Sequence, residues 1–246
     1  MNDTVLITGA ARRLGGLTAG HLAANGCFVW IHYRSHEAEA IALREQIIRS
    51  GGRAECVWAD LSDTDQIDLM LERIRRSENG ELTTLINNAS YFPNRTLNET
   101  SPSEWDQVMN TNLKAVWYLS IRFAERFSSA KRIISIGDAS VTGGYAGHAV
   151  YGLSKYALKY LTEQMAAAFA PRLYVSLLSP GLVLQGAGES DESWKLRHKQ
   201  TLTDNSNIIR EIMSGIDFLM SDPGITGSEL QIDNGSHLNC KFGNMK

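Results

Sequence analysis

Thr4-Val5-Leu6-Ile7-Thr8-Gly9-Ala10-Ala11-Arg12-Arg13-Leu14-Gly15-Gly16 is the stretch that decides the fold. A β-prone apolar run, Thr4–Thr8, breaks at a glycine and passes within a few residues into a helical segment, Leu14–Asn25. Glycine at such a break permits a sharp turn and a close backbone approach, and the helix start offers unpaired N–H groups to an anion. Working outward, further strand candidates fall at Cys27–His32, Ala54–Trp58, Thr83–Asn87, Arg132–Ile136, Leu173–Ser179 and Leu230–Ile232. Several are continuous apolar runs, which fit strands covered on both faces. Between them lie helical segments at Glu37–Arg49, Thr64–Arg76, Ser103–Phe127, Val150–Phe169 and Ser206–Met220. Strands separated by helices of these lengths build βαβ units with right-handed crossovers. The expected fold is therefore α/β: a single Rossmann-type, doubly wound parallel sheet of about seven strands with helices on both faces. No repeat or linker divides residues 1–246, which read as one domain.

Composition narrows the function classes. Hydrophobic residues make up 43% of the chain, and 24 basic residues against 27 acidic ones leave a net charge of −3. That excludes a disordered chain and gives no overall electrostatic basis for binding nucleic acid or an anionic membrane. Cys27, Cys56 and Cys240 are widely separated, and neither they nor His32 and His148 show ligand spacing, so no metal site or disulfide framework is expected. The N-terminus carries no secretory pattern, and no apolar run is long enough to span a bilayer. The chain reads as soluble and cytoplasmic.

Two polar segments follow strands, at Ser90–Pro102 and Pro180–Thr203. Open α/β sheets bind ligands beyond the carboxyl ends of their strands. The segment 180–203, with Gly181, Gly186, Gly188 and the acidic run Glu189-Ser190-Asp191-Glu192, is read as a substrate lid, the alternative being a solvated connection. Trp194 either closes over the pocket or packs beneath the lid. The end of strand two, His32-Tyr33-Arg34-Ser35, bears on the cofactor. A carboxylate there would accept ribose hydroxyls and select NAD, whereas the Arg34 guanidinium suits a 2′-phosphate, so NADPH is expected.

Asp138, Tyr151 and Lys155 form the candidate catalytic group. Tyr151 and Lys155 are four apart on one helix and share a face. A nearby ammonium stabilises phenolate, so the spacing predicts a tyrosine pKa lowered from about 10 toward neutrality and a phenol able to hand over a proton.

In this order, the glycine turn, Asn87-Asn88-Ala89-Ser90, Asn110-Thr111-Asn112-Leu113 and the Tyr151/Lys155 pair resemble the short-chain dehydrogenases/reductases. The resemblance implies cofactor contacts from Gly9, Arg13, Leu14, Gly15, Tyr33, Arg34, Ser35, Asp60, Leu61, Asn88, Ala89, Ser90, Tyr151, Lys155, Pro180 and Gly181. It also implies that Asn112 holds a water beside Lys155. Two residues depart from the usual pattern: Arg13 stands at the middle glycine, and Asp138 at the serine thirteen residues before the tyrosine. A charged carboxylate cannot donate a hydrogen bond to a ketone.

Those departures, with Asn88-Ala89-Ser90-Tyr91-Phe92 and Ser179-Pro180-Gly181-Leu182, resemble the pteridine reductases and dihydromonapterin reductases. That branch implies hydride delivery from NADPH to a C=N bond of a dihydropterin or dihydrofolate, giving the tetrahydro form. Asp138, Tyr151 and Lys155 would handle the proton, and Arg13, Ser90, Phe92, Asp138 and Tyr151 would meet the substrate. It further implies a homotetramer built on the segments Ser103–Phe127 and Val150–Phe169. The alternatives are a carbonyl reductase of the 3-oxoacyl-carrier-protein type and a non-catalytic NADPH-binding regulator.

Overall fold

A computed structural model describes residues 3–143, 145–186, 189–199, 201–203 and 206–238; Gly188 and Cys240 lie outside the described residues. Seven parallel strands form one sheet: β1 (Thr4–Ile7), β2 (Phe28–Tyr33), β3 (Arg53–Trp58), β4 (Thr84–Asn87), β5 (Arg132–Ile136), β6 (Tyr174–Pro180) and β7 (Ser228–Ile232). Their order is β3-β2-β1-β4-β5-β6-β7. The winding direction reverses between β1 and β4, and a doubly wound sheet opens a ligand crevice at that reversal.

The helices are α1 (Arg13–Ala24), α2 (Glu37–Arg49), α3 (Thr64–Arg75), α4 (Pro102–Met109), α5 (Ala115–Arg126), α6 (Ala149–Phe169), α7 (Asp191–His198) and α8 (Ile208–Met220). Successive strand residues face opposite sides, and the two cores follow that alternation. Leu6, Leu85, Ile133, Val175 and Leu177 pack with Ile67, Met70 and Leu71 of α3, Leu119 and Phe123 of α5, and Leu158 and Met165 of α6. Val5, Ile7, Ile86, Ile134 and Leu178 pack with Ala19 and Leu22 of α1, Ile47 of α2, and Ile212 and Ile216 of α8. Unbroken apolar strands are thus what a sheet with two covered faces requires. At the opposite edge from the crevice, buried Arg132 binds both oxygens of Asp222 at 2.8 Å and Asp3 at 3.1 Å, tying the chain's first strand to β5 and the end of α8.

Two elements differ from the sequence reading. The segment predicted as one helix over Ser103–Phe127 is three elements: α4, a π-helical turn at Asn110–Lys114, and α5. Asn110–Lys114 carries no glycine or proline to mark a break, so the chain reads as one continuous helix. The segment after β6 contains α7, an exposed helix capped by the Ser190 hydroxyl on Ser193 N–H. It buries no side chain and so leaves no apolar stripe in the sequence. Among the described residues no helix is long and apolar enough to cross a membrane.

Candidate active site

The glycine turn is built by close packing. Gly9 has φ +61°, and a Cβ there would stand 2.9 Å from the Ala89 Cα. A Cβ on Gly15 would stand 2.5 Å from Asn88 Nδ2 and 2.6 Å from the Gly9 carbonyl oxygen. Arg13 has φ +53°, the left-handed region, which costs an L-residue about 1–2 kcal/mol and explains why glycine is usual at this position. Its guanidinium donates to the Gln185 carbonyl at 3.1 Å, linking the turn to the segment after β6. Helix α1 starts with no side-chain cap and no acid in its first turn, so its leading N–H groups are available to an anion.

Neighbouring strands hold this turn. Thr8 Oγ1 accepts the N–H groups of Asn88 and Ala89, both at 2.9 Å, and Asn88 Nδ2 donates to the Thr8 and Gly9 carbonyls at 2.8 and 3.1 Å. Asn88 therefore shapes the turn through its side chain. His32 does so from β2: its Nδ1 accepts the Gly9 N–H and its Nε2 donates to the Ala59 carbonyl, both at 3.0 Å. Both partners fix the neutral Nε2–H tautomer, and burial pushes the imidazole pKa down to about 4. The position of His32 at the end of a strand does not by itself reveal this role. A polar residue inside an otherwise apolar strand was the only signal.

At the end of β2, Arg34 and Ser35 are exposed and the Arg34 guanidinium lies 3.9 Å from Asp60. Trp58 Nε1 donates to the Arg34 carbonyl at 2.9 Å, and Tyr33 Oη donates to Glu37 at 2.9 Å. Burial opposes ionisation of Asp60, but hydrogen bonds from Ser62 and the charge of Arg34 outweigh it and leave its pKa below the ordinary value. Leu61 is buried beneath this end, and Leu14 packs against the α1 side of the core. Pro180, the last residue of β6, is buried, and the Gly181 N–H that follows it donates to the Ile232 carbonyl at 2.9 Å.

Asp138 follows β5 and is held on both oxygens. Oδ1 accepts the Ser140 N–H and Oδ2 accepts the Tyr151 hydroxyl, each at 2.8 Å. Lys155 sits one turn beyond Tyr151 on α6, buried, with Nζ 2.6 Å from the Ile136 carbonyl and 5.8 Å from the centre of the Tyr151 ring. Burial lowers its pKa to about 8, against the attraction of Asp138.

One expectation is corrected here: the Tyr151 pKa is raised well above its ordinary value. Burial is the main cause, and the Asp138 carboxylate adds to it by repelling a phenolate and accepting the phenol's proton. Spacing along a helix reveals that Tyr151 and Lys155 share a face, but not that a carboxylate faces the phenol more closely. The consequence is chemical: Tyr151 holds its proton and offers it.

The π-helical turn places Asn112. Its Oδ1 accepts the Tyr91 N–H at 2.7 Å and the Ser90 hydroxyl at 3.3 Å, while Nδ2 donates to the Tyr91 carbonyl at 3.0 Å and to Ser154 Oγ at 3.1 Å. The amide thus ties the 90–91 loop to α6 next to Tyr151. π-turns inside helices occur frequently at functional sites. Phe92 is 50% exposed and stands edge-on to the Tyr151 ring, with centroids 4.4 Å apart, so it is no core residue. Trp194 is half-buried and packs edge-on to His198 at 4.6 Å. The segment after β6 is organised around Glu189, which accepts from Gly186 N–H, Ser193 and Arg197.

The family model for short chain dehydrogenase matches residues 3–196, which include both the glycine turn at the switch point and the tyrosine and lysine on α6. The chain belongs to this family. Among curated relatives of this short chain dehydrogenase family member, the 3-oxoacyl-[acyl-carrier-protein] reductase FabG of Escherichia coli is 29% identical, with 95% of this chain and 96% of the relative covered. The protein of the same name from Staphylococcus aureus is 28% identical, with 97% and 99% covered. Among solved structures, FolM alternative dihydrofolate reductase 1 from Brucella suis in complex with NADP is 28% identical, covers 96% of each chain and superposes with a TM-score of 0.88.

Proposed function

We propose that this family member is an NADPH-dependent pteridine reductase, reducing the C=N bond of a dihydropterin or dihydrofolate to the tetrahydro form. The observation that carries the reading is Asp138, whose two oxygens both act as acceptors, one of them toward Tyr151. A ketone reductase needs a hydroxyl donor beside its tyrosine, and a carboxylate accepting at both oxygens leaves none. A pterin carries ring N–H groups that a carboxylate can accept. The likeness to a structure named as a dihydrofolate reductase supports the same substrate class.

The residues present fit NADPH. Uncapped N–H groups at α1 suit the pyrophosphate, Arg34 suits a 2′-phosphate, and Lys155 Nζ spends only one of its three hydrogens on Ile136, leaving donors for ribose hydroxyls. Neighbours in complex with NADP support this choice. When bound, NADPH supplies the hydride. The electron pair of the C=N bond then resides on nitrogen, which requires a proton. Tyr151 Oη–H provides it, turning from Asp138 to the substrate nitrogen. Asp138 orients the phenol, keeps the proton on it until the nitrogen becomes basic, and accepts a pterin N–H. Lys155, held by Ile136, keeps a positive charge close to Tyr151. Phe92 offers an exposed ring face on which a flat heterocycle stacks. Ser90 and Arg13 stand at the crevice rim, and Arg13 joins it to the lid.

The relatives named as 3-oxoacyl-[acyl-carrier-protein] reductases favour a second reading, reduction of a 3-oxoacyl thioester. NADPH oxidation with dihydromonapterin, dihydrobiopterin and dihydrofolate, run beside an acetoacetyl thioester, separates the two. Turnover of a dihydropterin with little ketone reduction is expected; the reverse defeats the proposal. The homotetramer belongs to the same proposal. Met109, Leu113, Trp117, Tyr160 and Leu161 line an open apolar groove between the π-turn, α5 and α6. Trp117 and Tyr160 are exposed there, as a self-association face requires.

A further inference from the structure

His148 immediately precedes α6, yet its side chain makes no hydrogen bond that caps the helix. It turns instead to the loop after β4. Nδ1 lies 2.7 Å from the Pro93 carbonyl oxygen, which can only accept, so Nδ1 carries the hydrogen. The imidazole plane lies on Phe92, with centroids 3.9 Å apart and an interplanar angle of 14°. Tyr145 closes the group, 5.0 Å from His148 and 6.1 Å from both Phe92 and Tyr151. Separately, the backbone stitches the same loop to α6 through Ala149 N–H on the Arg95 carbonyl and a bridge between Arg95 and His148. The loop's path therefore does not depend on the His148 side chain. What the side chain fixes is the plane of one ring.

We infer that His148 is a positioning residue for substrate: its imidazole backs one face of Phe92 and holds that ring edge-on to Tyr151, leaving the opposite face as a rigid platform for a planar heterocycle. This rests on the pteridine reading. An exposed phenylalanine without such backing samples several rotamers, and binding must then immobilise it. Pre-set by a stacked ring and one hydrogen bond, it keeps its face beside Tyr151 without that cost. The effect acts through Phe92: the His148 ring centre stands 6.5 Å from that of Tyr151, against 4.4 Å for Phe92.

The test uses full-length His148→Ala, His148→Phe, Phe92→Ala and the double variant Phe92→Ala/His148→Ala. Affinity for the planar, non-reducible probe 2,4-diaminopteridine is titrated in the presence of NADP, and KM and kcat are measured with dihydrobiopterin. His148→Ala is expected to weaken the probe and raise the pterin KM about 5- to 20-fold, the loss of one stacked pair and one hydrogen bond, with kcat and the KM for NADPH little changed. His148→Phe, which keeps the stack, should recover most of that loss. The double variant should bind no worse than Phe92→Ala alone, because the two residues act in series. Unchanged affinity in His148→Ala, or a loss that adds to that of Phe92→Ala, overturns the inference while wild-type pterin turnover leaves the functional reading standing. A wild type that neither binds the probe nor reduces any pterin overturns both.

Discussion

The buried His32 makes a stability prediction that can be worked through in numbers. Its ring is neutral in the fold because Gly9 N–H points at Nδ1 and the Ala59 carbonyl receives Nε2–H. A second proton on Nδ1 would confront the Gly9 N–H. The imidazole pKa is pushed down to about 4 in the fold, from the ordinary 6.5. The unfolded chain therefore takes up this proton near pH 6.5, and the folded chain only near pH 4. The contribution is whole above the unfolded value and is lost as pH falls through the window between the two. Each pKa unit is worth about 1.4 kcal/mol, so the full loss is about 3 kcal/mol, and about 2 kcal/mol of it has occurred by pH 5. Urea unfolding at about pH 7 and pH 5, at one fixed protein concentration, measures this in wild type and in His32→Gln. The variant should start about 1–3 kcal/mol less stable at pH 7, because buried groups lose their partners. Wild type should then lose about 2 kcal/mol more than the variant on going to pH 5. Equal losses in the two proteins would refute the reasoning.

Further outcomes are expected at the site itself. Tyr151→Phe should lower kcat by about 10²- to 10⁴-fold, the usual worth of a positioned proton donor, while fluorescence titration shows NADPH affinity nearly unchanged. Asp138→Ser should lose pterin turnover and gain reduction of an acetoacetyl thioester in the same NADPH assay; no gain would mean that the carboxylate is not what excludes ketones. Arg34→Ala should raise the KM for NADPH about 10- to 100-fold, the scale of charge-assisted hydrogen bonds, and leave NADH nearly untouched. Gly15→Ala should abolish measurable NADPH binding, because the added Cβ stands 2.5 Å from Asn88 Nδ2 and 2.6 Å from the Gly9 carbonyl oxygen.

Much of this molecule was legible in its residues, and the reason differs between fold and site. Val5, Leu6 and Ile7 signal a doubly covered strand because each must find a core on alternate sides, and two separate cores receive them. Helix periodicity placed Tyr151 and Lys155 on one face for an equally direct geometric reason. Contacts between distant segments were not legible. The π-turn matters because it aims Asn112 at Tyr91 and Ser154, partners supplied by other elements. The Tyr151 pKa follows Asp138 and burial, which exist only once β5 and α6 are packed. The role of His148 is not legible because its partners, Pro93 and Phe92, lie some fifty-five residues earlier in the chain. Arg13 was legible as a departure, but its positive φ and its bond to Gln185 emerge only from the folded turn.

The central claim is that this crevice presents a pterin's C=N bond to Tyr151, with Asp138 accepting a ring N–H. A crystal structure of the full chain with NADP and a dihydropterin measures this most directly. The pterin is expected to stack on the free face of Phe92, with one ring nitrogen within hydrogen-bond distance of Tyr151 Oη and an N–H donating to Asp138. A pterin bound away from Phe92, or a crevice that accepts only an acyl thioester, would contradict it.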